Sequence, residues 1–275
     1  VTPLGVEAVK LEILLTIHSL QPYLRYQGGK SKTAKQIVSM MPPHSTYVEP
    51  MVGGGSVFFA KEPAPVEVIA DADRDLMTFY TALKQKKTTR CDLTPNRPRL
   101  ERLVKKREKN KPLNPCEYLY LNKISFGGKG KTWNPTAAQK CRNNLRRCGV
   151  SSKDDKKYAE RLKGVKIRAG DYAATIKRYD SKDTLHYIDP PYAGTNTGGY
   201  KYGRNLTPAE IKKVTDTVKG KVMLSYNNSS QVRKEFCNRE AYKKGYRCKK
   251  VKTTYTLNNK GKHTPKTELL ITKGF

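Results

Sequence analysis

Short apolar and β-branched runs, each closed by an acid, a glycine turn or a proline, recur near both ends of this chain and are missing from its middle. Thr46-Tyr47-Val48 predicts a strand that enters a turn at Glu49 to Gly55, and Ser56 to Phe59 predict the helix that follows. Upstream, Thr33 to Met41 read as a helix that Pro42-Pro43 ends. Val66-Glu67-Val68-Ile69-Ala70 is a second strand, and Leu76, Phe79 and Leu83 then fall on one helical face. Strand patterning resumes at Val165 to Arg168 and at Leu185 to Ile188. A helix from Pro208 to Val218 and a strand from Val222 to Ser225 come next. The last pattern is a hairpin: Thr253 to Leu257, an Asn/Gly/Lys turn at 258 to 261, and Glu268 to Thr272. Strands alternating with helices argue for an α/β fold whose parallel sheet ends in an antiparallel hairpin.

Between about Lys84 and Gly164 the strand signals vanish. Lys and Arg crowd Arg97 to Lys111 and Lys123 to Arg147, interleaved with Tyr118, Tyr120, Phe126 and Trp133, and Gly127-Gly128-Lys129-Gly130 forms a flexible loop. This stretch reads as an inserted, mainly helical module over 86–164, inside a domain formed by 25–85 and 165–275. Residues 1–24 read as an accessory segment. Its apolar run, Leu11 to Leu20, is too short to span a bilayer. At 275 residues the chain can bury a core.

Charge sharpens the picture. Lys plus Arg number 55 against 24 Asp plus Glu, a net +31, and a field of that size calls for a polyanionic partner. The six cysteines are scattered without zinc spacing, so neither a metal nor a disulfide framework is expected. Reduced thiols, a cytoplasmic location and a monomer are the expectations.

The densest chemical signal is Asp189-Pro190-Pro191-Tyr192, directly after an apolar strand. Neither proline can donate to a sheet ladder, so an acid and an aromatic ring are held at a strand end, where open α/β sheets bind ligands. A flat base can stack on Tyr192. An exocyclic amine can give its hydrogens to Asp189 and to the Pro190 carbonyl, both pure acceptors. Gly28-Gly29-Lys30-Ser31 invites a phosphate-loop reading, but that motif needs glycine where Leu24 stands. The glycine turn Glu49-Pro50-Met51-Val52-Gly53-Gly54-Gly55 lets backbone approach a ligand, and Asp71 ends the next strand, where nucleoside-binding sheets hold ribose hydroxyls. The acids from Asp71 to Asp75 are no calcium loop, because Leu76 replaces its obligatory glycine. After Tyr192, a Gly/Asn/Thr-rich stretch carrying Tyr200, Lys201 and Arg204 has the composition of a loop that closes over a bound base.

In this order the parts resemble the Dam-like class of adenine-specific DNA methyltransferases, from Arg25 to Phe275: a Gly-Gly-Lys segment, a glycine-turn motif, an inserted recognition region and Asp-Pro-Pro-Tyr. The resemblance implies a Rossmann-like methyltransferase sheet with an inserted helical DNA-recognition module. It implies S-adenosylmethionine contacted by Tyr26, Gly28, Gly29 and Lys30, wrapped by Glu49, Pro50, Gly53, Gly55 and Ser56, held at its ribose by Asp71 and flanked at its adenine by Asp171 and Tyr172. Asp189, Pro190, Pro191 and Tyr192 would be catalytic, with Asp189 also close to the cofactor. Double-stranded DNA would be met by Asn122, Lys123, Phe126, Lys129, Lys131 and Arg142 in the module and by Tyr200, Lys201 and Arg204 in the loop. A cytosine N4 or RNA adenine substrate, or a basic binding protein without catalysis, remain the alternatives at this point.

Overall fold

A computed structural model describes residues 20–26, 28–88, 91–143, 152–192, 206–255 and 264–275. Seven strands form one sheet: β1 (Thr46–Glu49), β2 (Val66–Asp71), β3 (Lys166–Ala169), β4 (Thr184–Ile188), β5 (Lys221–Asn227), β6 (Tyr246–Tyr255) and β7 (Thr264–Lys273). Their order is β3-β2-β1-β4-β5-β7-β6. β1 pairs in parallel with β2 and β4, and β4 with β5, while β7 runs antiparallel between β5 and β6. The α/β sheet with a C-terminal antiparallel hairpin is therefore as expected. Its first hairpin strand begins seven residues early, at Tyr246, because Arg247, Lys249, Lys250 and Lys252 mask the strand pattern in the sequence.

The described helices are α1 (Ala34–Val38), α2 (Ser56–Ala60), α3 (Arg74–Lys84), α4 (Arg97–Glu108), α5 (Pro115–Ile124), α6 (Pro135–Asn143), α7 (Ser152–Arg161), α8 (Tyr172–Tyr179), α9 (Pro208–Asp216), α10 (Ser230–Phe236) and α11 (Arg239–Lys243). Local chemistry fixes several starts. Asn114 with Glu117, and Thr207 with Glu210, form reciprocal capping boxes, each with proline at the first helical turn. Contacts divide the chain into two compact units, one drawn from Val1–Ser31, Gly53–Pro63 and Asp73–Ile167, the other from Lys32–Val52, Ala64–Ala72 and Arg168–Phe275.

In the second unit, one face of β4, β5 and β7 is apolar. Ile188, Leu224, Tyr226, Leu269 and Ile271 pack with Ile211 of α9 and with Val232 and Phe236 of α10 into one buried cluster. Under it, Asp216 at the end of α9 accepts bonds from Lys212, Lys244 and the Tyr246 hydroxyl, which hold its carboxyl down at about 2 against the opposing effect of burial. Strand periodicity puts different chemistry on the opposite face, where the Tyr47 hydroxyl donates to Glu49 at 2.7 Å and the hydroxyls of Tyr187 and Ser225 lie 2.8 Å apart.

The first unit is helical. α3 presents Leu76, Phe79, Tyr80 and Leu83 to its core, Phe79 stacks on Tyr118 of α5 at 5.7–5.8 Å from both Tyr23 and Tyr118, and Leu113 N–H donates to Asp75 at 3.1 Å. The inserted helices α4 to α7 thus share one compact unit with α2, α3 and the segment at Leu20 to Arg25.

The expectation of reduced thiols is overturned. Cys91 bonds Cys116, Cys237 bonds Cys248, and no cysteine is free among the described residues. The partners lie 25 and 11 residues apart in sequence, and only folding brings them within bonding reach. Among the described residues no helix is long and apolar enough to cross a membrane, and no His/Cys/Asp/Glu group could hold a metal.

Candidate active site

The strand order reverses at β1, which has β2 on one side and β4 on the other, so the carboxyl ends of β1 and β4 flank a topological switch point. Parallel pairing aligns those ends. Glu49 closes β1, Asp71 closes β2, the Gly170 N–H just past β3 donates to the Asp71 carbonyl at 3.0 Å, and Asp189 follows β4. Glu49 is buried, whereas Asp71 and Asp189 are half-buried. Burial pushes the Tyr187 hydroxyl far up its scale, and the charges of Asp189, Glu49 and Glu268 push it further. Three carboxylates therefore converge on this end of the sheet. Glu268 was not foreseen, because its strand lies in the hairpin, where sequence alone gives no register.

Pro190 is buried, and Pro191 and Tyr192 are half-buried. The Tyr192 ring stacks on Tyr226 with centroids 5.7 Å apart and planes 21° from parallel. Because Tyr226 is itself in the core, it backs Tyr192 as a rigid support. Asp171 differs from the simple expectation: its carboxylate caps α8, accepting from Ala173 and Ala174 N–H at 2.9 and 3.0 Å. Tyr172 and Met51 pack against the same apolar cluster as Tyr192.

In the first unit the Gly-Gly-Lys segment and the glycine turn meet at Tyr26. A Cβ on Gly53 would lie 2.7 Å from the Tyr26 ring, one on Gly54 2.7 Å from Tyr26 Cβ, and one on Gly29 3.1 Å from the Tyr26 carbonyl oxygen. Gly53 and Gly55 also take φ of +47° and +68°. Both the close approach and the left-handed backbone require glycine here. Lys30 is buried and its Nζ donates to the Gly28 carbonyl at 3.1 Å, while Ser56 opens α2 close to Gly29.

The basic module divides the expected DNA contacts. Phe126, half exposed, sits at a closed tip: its N–H donates to the Thr132 carbonyl at 2.8 Å, Ser125 bridges to Trp133, and Gly130 N–H donates to the Ser125 hydroxyl at 2.7 Å. Lys129 is partly exposed, and Lys131 and Arg142 are fully on the surface. Asn122 and Lys123 are corrections. Both are buried: Asn122 is bonded to the Arg25 backbone, and Lys123 Nζ donates to the Tyr23 carbonyl at 2.7 Å. Their polar character suggested an exposed helix face, but α5 is buried nearly all round. Tyr200, Lys201 and Arg204 lie outside the described residues.

Lys123 makes a testable contribution to stability. Burial first, then the Arg25 charge, bring its ammonium down from 10.5 to about 8. At about 1.36 kcal/mol per pH unit, keeping it charged costs on the order of 3 kcal/mol below pH 8. Between about 8 and 10.5 the unfolded chain holds the proton that the folded chain has lost, so stability rises with pH. Denaturant unfolding at pH 7 and pH 10 should show the native chain gaining on Lys123→Met by roughly that amount. An unchanged difference would mean that Lys123 titrates normally.

The model of the family described as "D12 class N6 adenine-specific DNA methyltransferase" matches residues 26–257. The Type II methyltransferase M.MjaIII of Methanocaldococcus jannaschii is 27% identical over 284 residues, covering 88% of this chain and 94% of that protein. A DNA adenine methylase of Vibrio cholerae is 23% identical over 269 residues, covering 90% and 94%. The DNA adenine methylase of Escherichia coli is 28% identical over 192 residues, covering 62% and 64%. With the strand order, the glycine turn on Tyr26 and Asp-Pro-Pro-Tyr at the switch point in place, the chain belongs to the D12 class of N6-adenine-specific DNA methyltransferases.

Proposed function

We propose that the chain draws its methyl group from S-adenosylmethionine and delivers it to an adenine turned out of duplex DNA, with Asp189 to Tyr192 holding the base. The observation that carries this reading is the end of β4. A half-buried carboxylate, a fixed prolyl carbonyl and a tyrosine ring backed by Tyr226 follow one another beside the switch point. An aminopurine needs those three features: two acceptors for its amine hydrogens and one flat surface.

The residues also fit the cofactor. Side chains are excluded at Gly53 and Gly54, where Tyr26 lies flush on the turn. Lys30 offers a cation for a carboxylate, with Gly28, Gly29, Gly55 and Ser56 offering backbone and hydroxyl groups beside it. Glu49 and Pro50 would serve the methionine end, and Asp71 would be the acid for the ribose hydroxyls. With its carboxylate occupied as a helix cap, Asp171 offers an adenine ring its backbone, and Tyr172 offers its ring. When bound, S-adenosylmethionine provides an electrophilic sulfonium methyl.

The chain's own task is to make the adenine N6 nucleophilic, since its lone pair is delocalised into the ring. Hydrogen bonds from N6 to Asp189 and to the Pro190 carbonyl would favour a more tetrahedral nitrogen and stabilise the positive charge that N6 gains with the methyl group, and the surplus N6 proton would then leave to Asp189 or to solvent. Tyr192 and the prolines fix the ring so that N6 is aligned, which lowers the entropic part of the barrier.

Turning the base out costs a few kcal/mol. Phe126 would offset it by filling the gap left in the stack, with Lys129, Lys131 and Arg142 on phosphates. Phe126→Ala should lower kcat/KM about 5- to 100-fold, since stacking contacts contribute about 1–3 kcal/mol. Because the ring is half exposed, Tm should stay within about 2 °C. A mismatch opposite the target adenine should restore much of the loss. The test of the whole reading is transfer of labelled methyl from S-adenosylmethionine to unmethylated duplex DNA, digested to nucleosides. Label in N6-methyladenine is the expected result. Transfer only to single strands would remove the duplex claim, and no transfer from this donor would remove the cofactor.

A further inference from the structure

We propose that Asn122 is a positioning residue that couples the DNA-facing tip at Phe126–Gly128 to the cofactor-facing segment that begins at Arg25. The inference rests on the assignment of Tyr26 and Lys30 to the cofactor and of Phe126 to DNA. Asn122 is 4% exposed, and its carboxamide faces both parts. Its oxygen accepts the Arg25 N–H at 3.1 Å, and its nitrogen donates to the Arg25 carbonyl at 2.7 Å and to the Gly128 carbonyl at 3.3 Å. The side chain thus pairs with Arg25 as a neighbouring strand would, while a third bond reaches the tip.

The tip is pressed on the segment as closely as backbone allows. A Cβ on Gly128 would lie 2.5 Å from the Arg25 carbonyl oxygen and 3.0 Å from Asn122 Nδ2. One residue on, Tyr26 rests against Gly53 and Gly54 with equally little room. Lys123 ties Tyr23 from the same turn of α5. Gly128, Arg25, Tyr26 and the glycine turn therefore form an unbroken run of packed groups with Asn122 at its centre.

A shift of the tip on DNA must either carry Arg25 with it or break part-buried hydrogen bonds and leave the buried Asn122 carboxamide short of partners. Carrying Arg25 moves Tyr26 on the glycine turn. This is a contiguous physical path of the kind coupling requires, and it demands reciprocity: DNA must tighten cofactor binding by the same factor by which cofactor tightens DNA binding.

Calorimetry on the full chain tests this, with S-adenosylhomocysteine titrated in the presence and absence of saturating unmethylated plasmid DNA. The native chain should bind S-adenosylhomocysteine at least about fivefold tighter with DNA. In Asn122→Ala that ratio should fall to within about twofold of unity, with affinity in the absence of DNA nearly kept. Gly128→Ala keeps the Asn122 carboxamide itself but its Cβ must push the tip off the Arg25 carbonyl, so it should lower the ratio in the same way and decides the matter if Asn122→Ala does not fold. A merely structural role would lower the fraction of protein that binds and leave the ratio alone. A native ratio of one, or a native-like ratio in both variants, would overturn the coupling and leave the active site assignment standing. Failure of the native chain to bind S-adenosylhomocysteine at all would overturn both.

Discussion

Replacing Asp189 with alanine is expected to lower kcat for methyl transfer by about 10²–10³-fold or more, the loss usual when a preorganised group that stabilises developing charge is removed. The carboxylate stands at the end of β4, where two prolines leave its backbone little freedom. Asp189→Asn is the sharper variant. It keeps the shape and one acceptor oxygen but removes the negative charge, so kcat should fall at least about tenfold even though its volume is native. The affinity for S-adenosylmethionine should change much less than kcat, because the contact matters most as charge grows on N6. Stability should change little, because Asp189 is half-buried at a strand end and the substitution opens no cavity in the apolar core. Steady-state kinetics with a melting curve on each variant test both halves. A kcat within threefold of native would sink the assignment, whatever happens to Tm.

How much of this could be read beforehand depends on the range of the physics. Strands β1, β2, β4 and β5 were legible because each is a β-branched or aromatic run with a sharp stop, and Asp-Pro-Pro-Tyr was legible because covalent geometry alone gives it meaning. The glycine turn was visible, but its partner was not. That Tyr26 is what keeps Gly53 and Gly54 bare is a contact across 27 and 28 positions that no local pattern contains. The short helices α8, α10 and α11 escaped because five to eight residues hardly establish a 3.6-residue period. Asn122 and Lys123 show the reverse error: composition places a lysine beside an asparagine on the surface, but tertiary packing has turned both inward onto the backbone at Tyr23 and Arg25.

Cysteine pairing was invisible for the same reason, and it carries the largest expected effect on stability. Reduction with a thiol should lower Tm by about 13–25 °C. Closing loops of 25 and 11 residues removes unfolded-state entropy equivalent to about 3.5 and about 2.8 kcal/mol in the chain-entropy model. Together these are comparable to the whole stability of a typical fold, about 5–15 kcal/mol, and at this chain length each kcal/mol moves Tm by roughly 2–4 °C. The two bonds should be separable. Cys237 ends α10 and Cys248 lies in β6, so Cys237→Ser with Cys248→Ser loosens the apolar cluster that backs Tyr192 through Tyr226. Cys91 precedes α4 and Cys116 is in α5, so their replacement loosens the helical unit that carries Phe126. The first pair should therefore weaken kcat along with Tm, and the second should weaken DNA affinity along with Tm, each read by calorimetry and kinetics below the melting range. If a thiol leaves Tm within about 2 °C and labelling finds free cysteines in the native protein, the pairs do not form in solution, and the fold must rest on its core alone.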